Sequence, residues 1–152
     1  MKKILIATDG SASSAEAVEF GVELAAEHDA AVIFVHVAPA FDVLPMIVLA
    51  PSGIPRVPHE LNDLDRTPLV EAEQVAALED VPSSSKLLVG DTVDEIVAYA
   101  DDEDVDMIVV GSRGHGALAS ALLGSVSRGI LSEAKRPVTV VRARAAAPVA
   151  VG

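Results

Sequence analysis

The sequence predicts a parallel, doubly wound α/β fold, and three observations point there. Short apolar runs rich in valine and isoleucine alternate with stretches of helical periodicity. The runs are apolar at nearly every position rather than every second one, as strands are when helices cover both faces of their sheet. Glycine, aspartate and serine cluster where several of the runs end.

The elements follow in order. Lys3 to Thr8 (KILIAT) reads as a buried strand, and Asp9-Gly10-Ser11 turns the chain into a helix with Ser11 or Ser13 as N-cap. That helix runs to about His28: Ala17, Val18, Gly21, Val22, Leu24 and Ala25 share one face, while Glu16, Glu19, Glu23 and Glu27 fall mostly on the other. Ala31 to Val37 (AVIFVHV) is a second strand and Ser85 to Val89 a third. A helix over about Val93 to Asp102, a strand over Asp106 to Val110, a helix after Gly124 and a last strand over Val138 to Arg142 complete the alternation. Between the second and third strands, Pro39 to Pro68 breaks the pattern. It holds six of the nine prolines, which forbids one continuous helix and predicts a long surface excursion, with a shorter helix from Leu69 to Leu78. The apolar stretch Val43 to Ala50 within it is a candidate to fold over a ligand or pack on a partner. The expected organisation is a single domain over residues 1–144, the excursion at 39–68 inside it, and a frayed tail at 145–152.

Composition narrows the function. With 152 residues and 51% hydrophobic content, the chain supports one well-buried core. No apolar run reaches the roughly 18 residues of a membrane span, and Met1-Lys2-Lys3 leads straight into a strand, so a cytoplasmic protein is expected. There is no cysteine, hence no disulfide, thiolate nucleophile or cysteine-based zinc site. Acidic residues number 23 against 11 basic, a net charge of −12, which argues against nucleic acid or an anionic membrane as partner. The lysines are only Lys2, Lys3, Lys86 and Lys135, and an acidic, lysine-poor surface suits a salt-rich cytoplasm, so a halophilic source is expected over an ordinary acidic mesophile.

The most informative stretch is Gly111-Ser112-Arg113-Gly114-His115-Gly116, followed after Leu123 by Gly124-Ser125-Val126-Ser127. A buried strand empties into a glycine loop, and a Gly-Ser-x-Ser turn opens a helix. Such a layout aims backbone N–H groups and a helix N-terminus at one spot, which is how phosphate is held without clustered lysines. The spacing Gly-x2-Gly-x9-Gly-Ser is not a P-loop, since no lysine occurs between Lys86 and Lys135. Nor is it the dinucleotide fingerprint, because the glycines come in reverse spacing and follow the fourth strand instead of the first.

Other constellations carry less. His28, His36, His59 and His115 lack metal-ligand spacing, and His36 in its apolar strand reads as a satisfied core histidine. The run Asp101-Asp102-Glu103-Asp104-x-Asp106 lacks the glycine and final glutamate of a calcium loop and reads as a solvated helix end. No Gly-x-Ser-x-Gly elbow occurs.

Over nearly its whole length the chain resembles the universal stress protein family. The resemblance rests on Lys3 to Ser11 (KILIATDGS), on His36-Val37 closing the second strand, on Val109 to Gly116 and on Leu123 to Ser127. The closing Arg136 to Arg142 (RPVTVVR) completes it. The glycine spacing is similar to that of the family's ATP-binding subclass, whereas Pro39 to Pro68 departs from the longer helix usual there. The resemblance implies an open five-stranded parallel sheet ordered 3-2-1-4-5, a Rossmann-like nucleotide-binding fold. Its winding reverses between strands 1 and 4, so Asp9 and Gly111 meet at one crevice.

The expected ligand is ATP or another adenine nucleotide with Mg²⁺. Backbone N–H groups around Gly114 and at Ser125, Val126 and Ser127 are assigned to the phosphates, with the Ser125 and Ser127 hydroxyls as further donors. Gly111, Gly114 and Gly124 are read as permitting close approach or positive φ, and Ser112 belongs to the same loop. Arg113 and His115 are candidates for positive charge, or solvated loop residues. Asp9 is assigned to ribose hydroxyls or Mg²⁺, against a plain turn and cap. By resemblance, Thr8 lines the site and the Val37 backbone meets the adenine edge. The resemblance also implies a homodimer through strand 138–142. The expected function is a regulatory nucleotide-binding module of the stress response. The alternatives are a slow ATPase, a protein that phosphorylates itself on Ser125 or Ser127, or a sensor of AMP or cyclic AMP; no general base is evident for hydrolysis.

Overall fold

The computed structural model describes residues 1–43, 56–113 and 123–143. In chain order these form β1 (Lys3–Ala7), α1 (Ala12–His28), β2 (Ala31–Ala38), β3 (Phe41–Val43), β4 (Arg56–Pro58), a 3-10 turn (Asp63–Arg66) and α2 (Thr67–Leu78). Then come β5 (Ser83–Val89), α3 (Thr92–Asp102), β6 (Met107–Gly111), α4 (Ser125–Glu133) and β7 (Val138–Val141). The main sheet runs β5-β2-β1-β6-β7 with every pair parallel, which is the order 3-2-1-4-5 when its five strands alone are counted.

Strand residues alternate between two cores, as the pleat demands. Ile4, Ile6, Val32 and Phe34 face α1 and α2, meeting Ala17, Val22, Leu69 and Ala76. Leu5, Ile33, Val35, Ile108 and Val110 face the opposite way with Ile96 and Ala100 of α3 and Ile130 of α4. The central strands are buried on both sides, which is why they read as unbroken apolar runs.

The Pro-rich excursion differs from the expected plain loop. β3 and β4 pair antiparallel, Phe41 opposite Pro58 and Val43 opposite Arg56, so the excursion contains a hairpin. Three-residue strands carrying proline at an edge offer almost no periodic signal. A 3-10 turn capped reciprocally by Asn62 and Asp65 then delivers the chain into α2, which starts at Thr67 because Pro68 is well tolerated in a first helical turn. The third strand of the main sheet begins at Ser83, two residues earlier than expected. The serines there pair with β2, a tertiary gain that outweighs their weak strand preference. The rest of the apolar stretch after Val43 and the 145–152 tail lie outside the described residues.

The acidic run from Asp101 to Asp106 ties elements together. Arg136 reaches Asp101 and Asp104, and Asp106 Oδ2 accepts the backbone N–H groups of Lys2 and Lys3 at 2.7 and 2.9 Å. These two bonds hold the Asp106 carboxyl below the usual carboxylate range. Among the described residues no helix is long and apolar enough to cross a membrane.

Candidate functional site

β1 and β6 are hydrogen-bonded neighbours, yet their following segments leave toward opposite faces: α1 packs on one side of the sheet and α4 on the other. A cleft of about 420 Å³ opens at this divergence, within the size range of small-molecule sites.

On the β1 side, Asp9-Gly10-Ser11 makes a tight turn with Gly10 at φ 80°, a conformation that favours glycine. Asp9 Oδ1 accepts from the Ser11 N–H at 2.9 Å and from the Ser14 hydroxyl at 3.0 Å. Ser11 is the N-cap of α1, accepting the Ser14 N–H at 3.2 Å. The Thr8 side chain lies 3.2 Å from Ser14 Oγ, and the Thr8 carbonyl accepts from His36 Nδ1 at 2.9 Å. Because a carbonyl only accepts, His36 must carry its proton on Nδ1, and in the neutral ring Nε2 is an acceptor.

Ser13, the other cap candidate, has a different task. Its hydroxyl oxygen accepts the Arg113 N–H at 3.1 Å and lies 3.4 Å from Ser112 Oγ, fastening the start of α1 to the exit of β6. Gly111 makes that approach feasible: a Cβ on it would stand 2.7 Å from the Ser13 backbone. The glycine is required here by α1.

On the β6 side, Ser112 is buried behind the wall, its N–H bonded to the Val141 carbonyl and its carbonyl accepting the Gly124 N–H at 2.7 Å. Gly124 is the N-cap of α4 with φ −67° and ψ 164°, so a left-handed backbone is not the reason for glycine at this position. Among the described residues no side chain caps α4, in contrast to α1 and α3, and the first-turn residues Ser125, Val126 and Ser127 form part of the cavity wall. The positive end of a helix therefore meets the cleft. The Ser127 hydroxyl donates to the Ser112 and Gly124 carbonyls at 3.1 and 3.0 Å, so its proton is directed back into the protein and away from a ligand.

Backbone polarity reaches the cleft from β2 as well. The Thr8 N–H bonds the Val35 carbonyl toward β1, whereas the Gly90 N–H bonds the Ala38 carbonyl on the β5 side. Strand alternation then turns the Val37 N–H and C=O toward the β1 side, past the point where β1 has ended.

Of the residues singled out from sequence, Thr8, Asp9, Val37, Gly111, Arg113, Gly124, Ser125, Val126 and Ser127 line one cavity, and Ser112 sits behind it. Gly114 and His115 lie outside the described residues. The wall also contains Ser14, His36, Thr92 and Ile96, which sequence reasoning did not assign to the site. Thr92 had a readable signal, since it follows the C-terminal end of a parallel strand at Gly90-Asp91. His36 is hydrogen-bonded, as a satisfied histidine should be, but it is half-buried and borders the cleft rather than the core.

Comparison with known proteins agrees with this architecture. The universal stress protein family model matches residues 1–142. A universal stress protein of Methanocaldococcus jannaschii is 34% identical over 142 residues, covering 93% of this chain and 82% of that one. A crystal structure of a universal stress protein in complex with cAMP superimposes with TM-score 0.66 at 22% identity, covering 94% of this chain and 98% of the other. One from Arabidopsis thaliana with AMP bound gives TM-score 0.64 at 21% identity, covering 95% and 94%. At that level of identity the two structures speak for the fold, while the family match and the archaeal relative speak for descent. The chain belongs to the universal stress protein family.

Proposed function

We propose that this protein binds an adenine nucleotide, ATP with Mg²⁺, in the cleft between β1 and β6, and serves as a regulatory module of the stress response in a salt-rich cytoplasm. The observation that carries the reading is the meeting, across one cavity, of a helix N-terminus that no side chain among the described residues caps with the Val37 backbone at the end of β2. In this reading the N–H groups of Ser125, Val126 and Ser127 take the phosphates, joined by the Ser125 hydroxyl and, by sequence position, Gly114. The Val37 N–H and C=O offer the donor and acceptor pair that an adenine edge matches, and Val35, Ile96 and Val110 supply apolar surface for the ring. Asp9 is suited to ribose hydroxyls or to Mg²⁺ riding on the phosphates; Arg113, at the same wall, and His115 supply positive charge. The AMP and cAMP complexes of the two structural neighbours support an adenylate. Gly111, in the wall, and Ser112, behind it, support the site by joining β6 to α1 and α4.

We further propose a two-fold homodimer through β7, one of the two edge strands of the main sheet. The discriminating experiment is heat extraction of the purified protein with mass spectrometry of what is released. Recovery of an adenine nucleotide supports the reading. If none is recovered and no adenine nucleotide shifts the melting temperature, the reading falls.

A further inference from the structure

One side chain outside the cavity wall is held in a way that nucleotide binding does not require. His59, just after β4, has a carboxylate at each ring nitrogen. Nδ1 lies 2.7 and 2.9 Å from the two oxygens of Asp42 on β3, and Nε2 lies 3.0 and 3.1 Å from those of Asp65 in the 3-10 turn. A carboxylate only accepts, so both nitrogens must donate, and only the imidazolium carries a proton on each. The neutral ring would aim a lone pair at one of the two acids.

The His59 ring thus staples the hairpin to the turn that starts α2. Its own N–H reaches the Ala40 carbonyl at 3.0 Å, close to the end of β2 that carries Val37. The His59 and Asp65 side chains are each 13% exposed, and Asp65 also accepts the Asn62 N–H at 2.8 Å. The charges acting on this cluster come from three elements. The hydrogen bonds that His59 donates to Asp42 and then to Asp65 raise its pKa above the ordinary value. Asp65 is held low first by the Asn62 N–H and then by His59, with a further contribution from His36 on β2. Arg56, Glu60, Asp63 and Arg66 on the hairpin and turn are exposed. His36, which acts on Asp65, also borders the cleft, so the cluster is electrostatically linked to the cavity wall.

We propose that the Asp42–His59–Asp65 staple is a pH-responsive regulator of the nucleotide site, closed while His59 is charged and opening as the ring loses its proton. Closed, it fixes the end of β2 and with it the Val37 backbone, so the site is preorganised; open, nucleotide binding must pay for that ordering. This inference rests on the nucleotide-binding reading of the cleft. The sign follows from linkage. A raised histidine pKa makes the staple's contribution full below the unfolded value and lost as pH rises through the folded one.

Two measurements on the full chain test it, each between about pH 6 and pH 9, either side of an upward-shifted histidine. Amide exchange, corrected for the intrinsic pH dependence, should show protection over Phe41–Val43 and His59–Asp65 falling as pH rises. Affinity for Mg-ATP should fall with it, by about threefold if nucleotide shifts the His59 pKa by roughly half a unit. His59→Gln should bind at the weak level throughout and lose the exchange transition, while Asp42→Asn should move both transitions to lower pH. Protection that ignores pH overturns the staple. Protection that responds while wild type and His59→Gln share one affinity profile overturns its coupling to the cleft. If Mg-ATP binds at no pH, the nucleotide reading itself fails, and the exchange measurement still decides whether the staple titrates.

Discussion

Replacing Gly124 with valine separates occupation of the cleft from stability of the fold. At φ −67° and ψ 164° the Gly124 backbone is open to any L-residue, and its N–H bond to the Ser112 carbonyl survives the change. The cost to the free protein is that of a poor helix N-cap, about 1 kcal/mol. For a chain of this size that lowers the melting temperature by roughly 2–4 °C. Wild type at about 100 times its dissociation constant for Mg-ATP gains roughly 2.7 kcal/mol, or about 5–11 °C. The variant should lose that gain, because a branched side chain now stands in the wall beside the first turn of α4. Gly111→Ala is the contrasting control. There the new Cβ meets the Ser13 backbone at 2.7 Å, so the loss should appear without ligand and amount to about 1–3 kcal/mol. Differential scanning fluorimetry with and without Mg-ATP reads both. A Gly124→Val protein that keeps the full ligand shift would refute the placement of phosphate at α4.

Three further outcomes are expected. In β7 the bonds from Ile108 to Pro137 and from Ser112 to Val141 show that odd-numbered residues face β6, leaving the Val138 and Val140 backbone on the side away from β6; Val140→Pro should therefore yield monomers by light scattering while the fold persists, and dimers that withstand it would exclude this edge. Stability should rise between low and molar KCl, because screening relieves the self-repulsion of a −12 net charge, and a flat or falling melting temperature would contradict that. Asp106, whose pKa is lowered by the Lys2 and Lys3 N–H groups, contributes stability that is present above the ordinary carboxylate value and lost as pH falls through the lower folded one; Asp106→Asn should flatten that acid limb in denaturant titrations, and an unchanged limb would place the acid sensitivity elsewhere.

The sequence by itself determined the layered α/β architecture, because strands buried on both faces must be apolar throughout and helices covering them must be amphipathic. It also identified the two segments that meet at the cleft, since Asp9-Gly10-Ser11 and Gly124 to Ser127 carry local turn and helix-start chemistry that is written in adjacent residues. Tertiary structure alone decided what those residues touch. Gly111 faces Ser13 across 98 positions of chain, the Ser127 hydroxyl turns inward to carbonyls, and His36 borders the cleft, and none of this follows from local pattern. The β3–β4 hairpin and the His59 staple belong to the same class. Their strands are too short to show a period, and a histidine 17 residues from one acid and 6 from the other carries no spacing signal until the chain has folded. Local geometry is encoded in neighbouring residues, whereas long-range contacts depend on register and packing that only the assembled sheet and helices define.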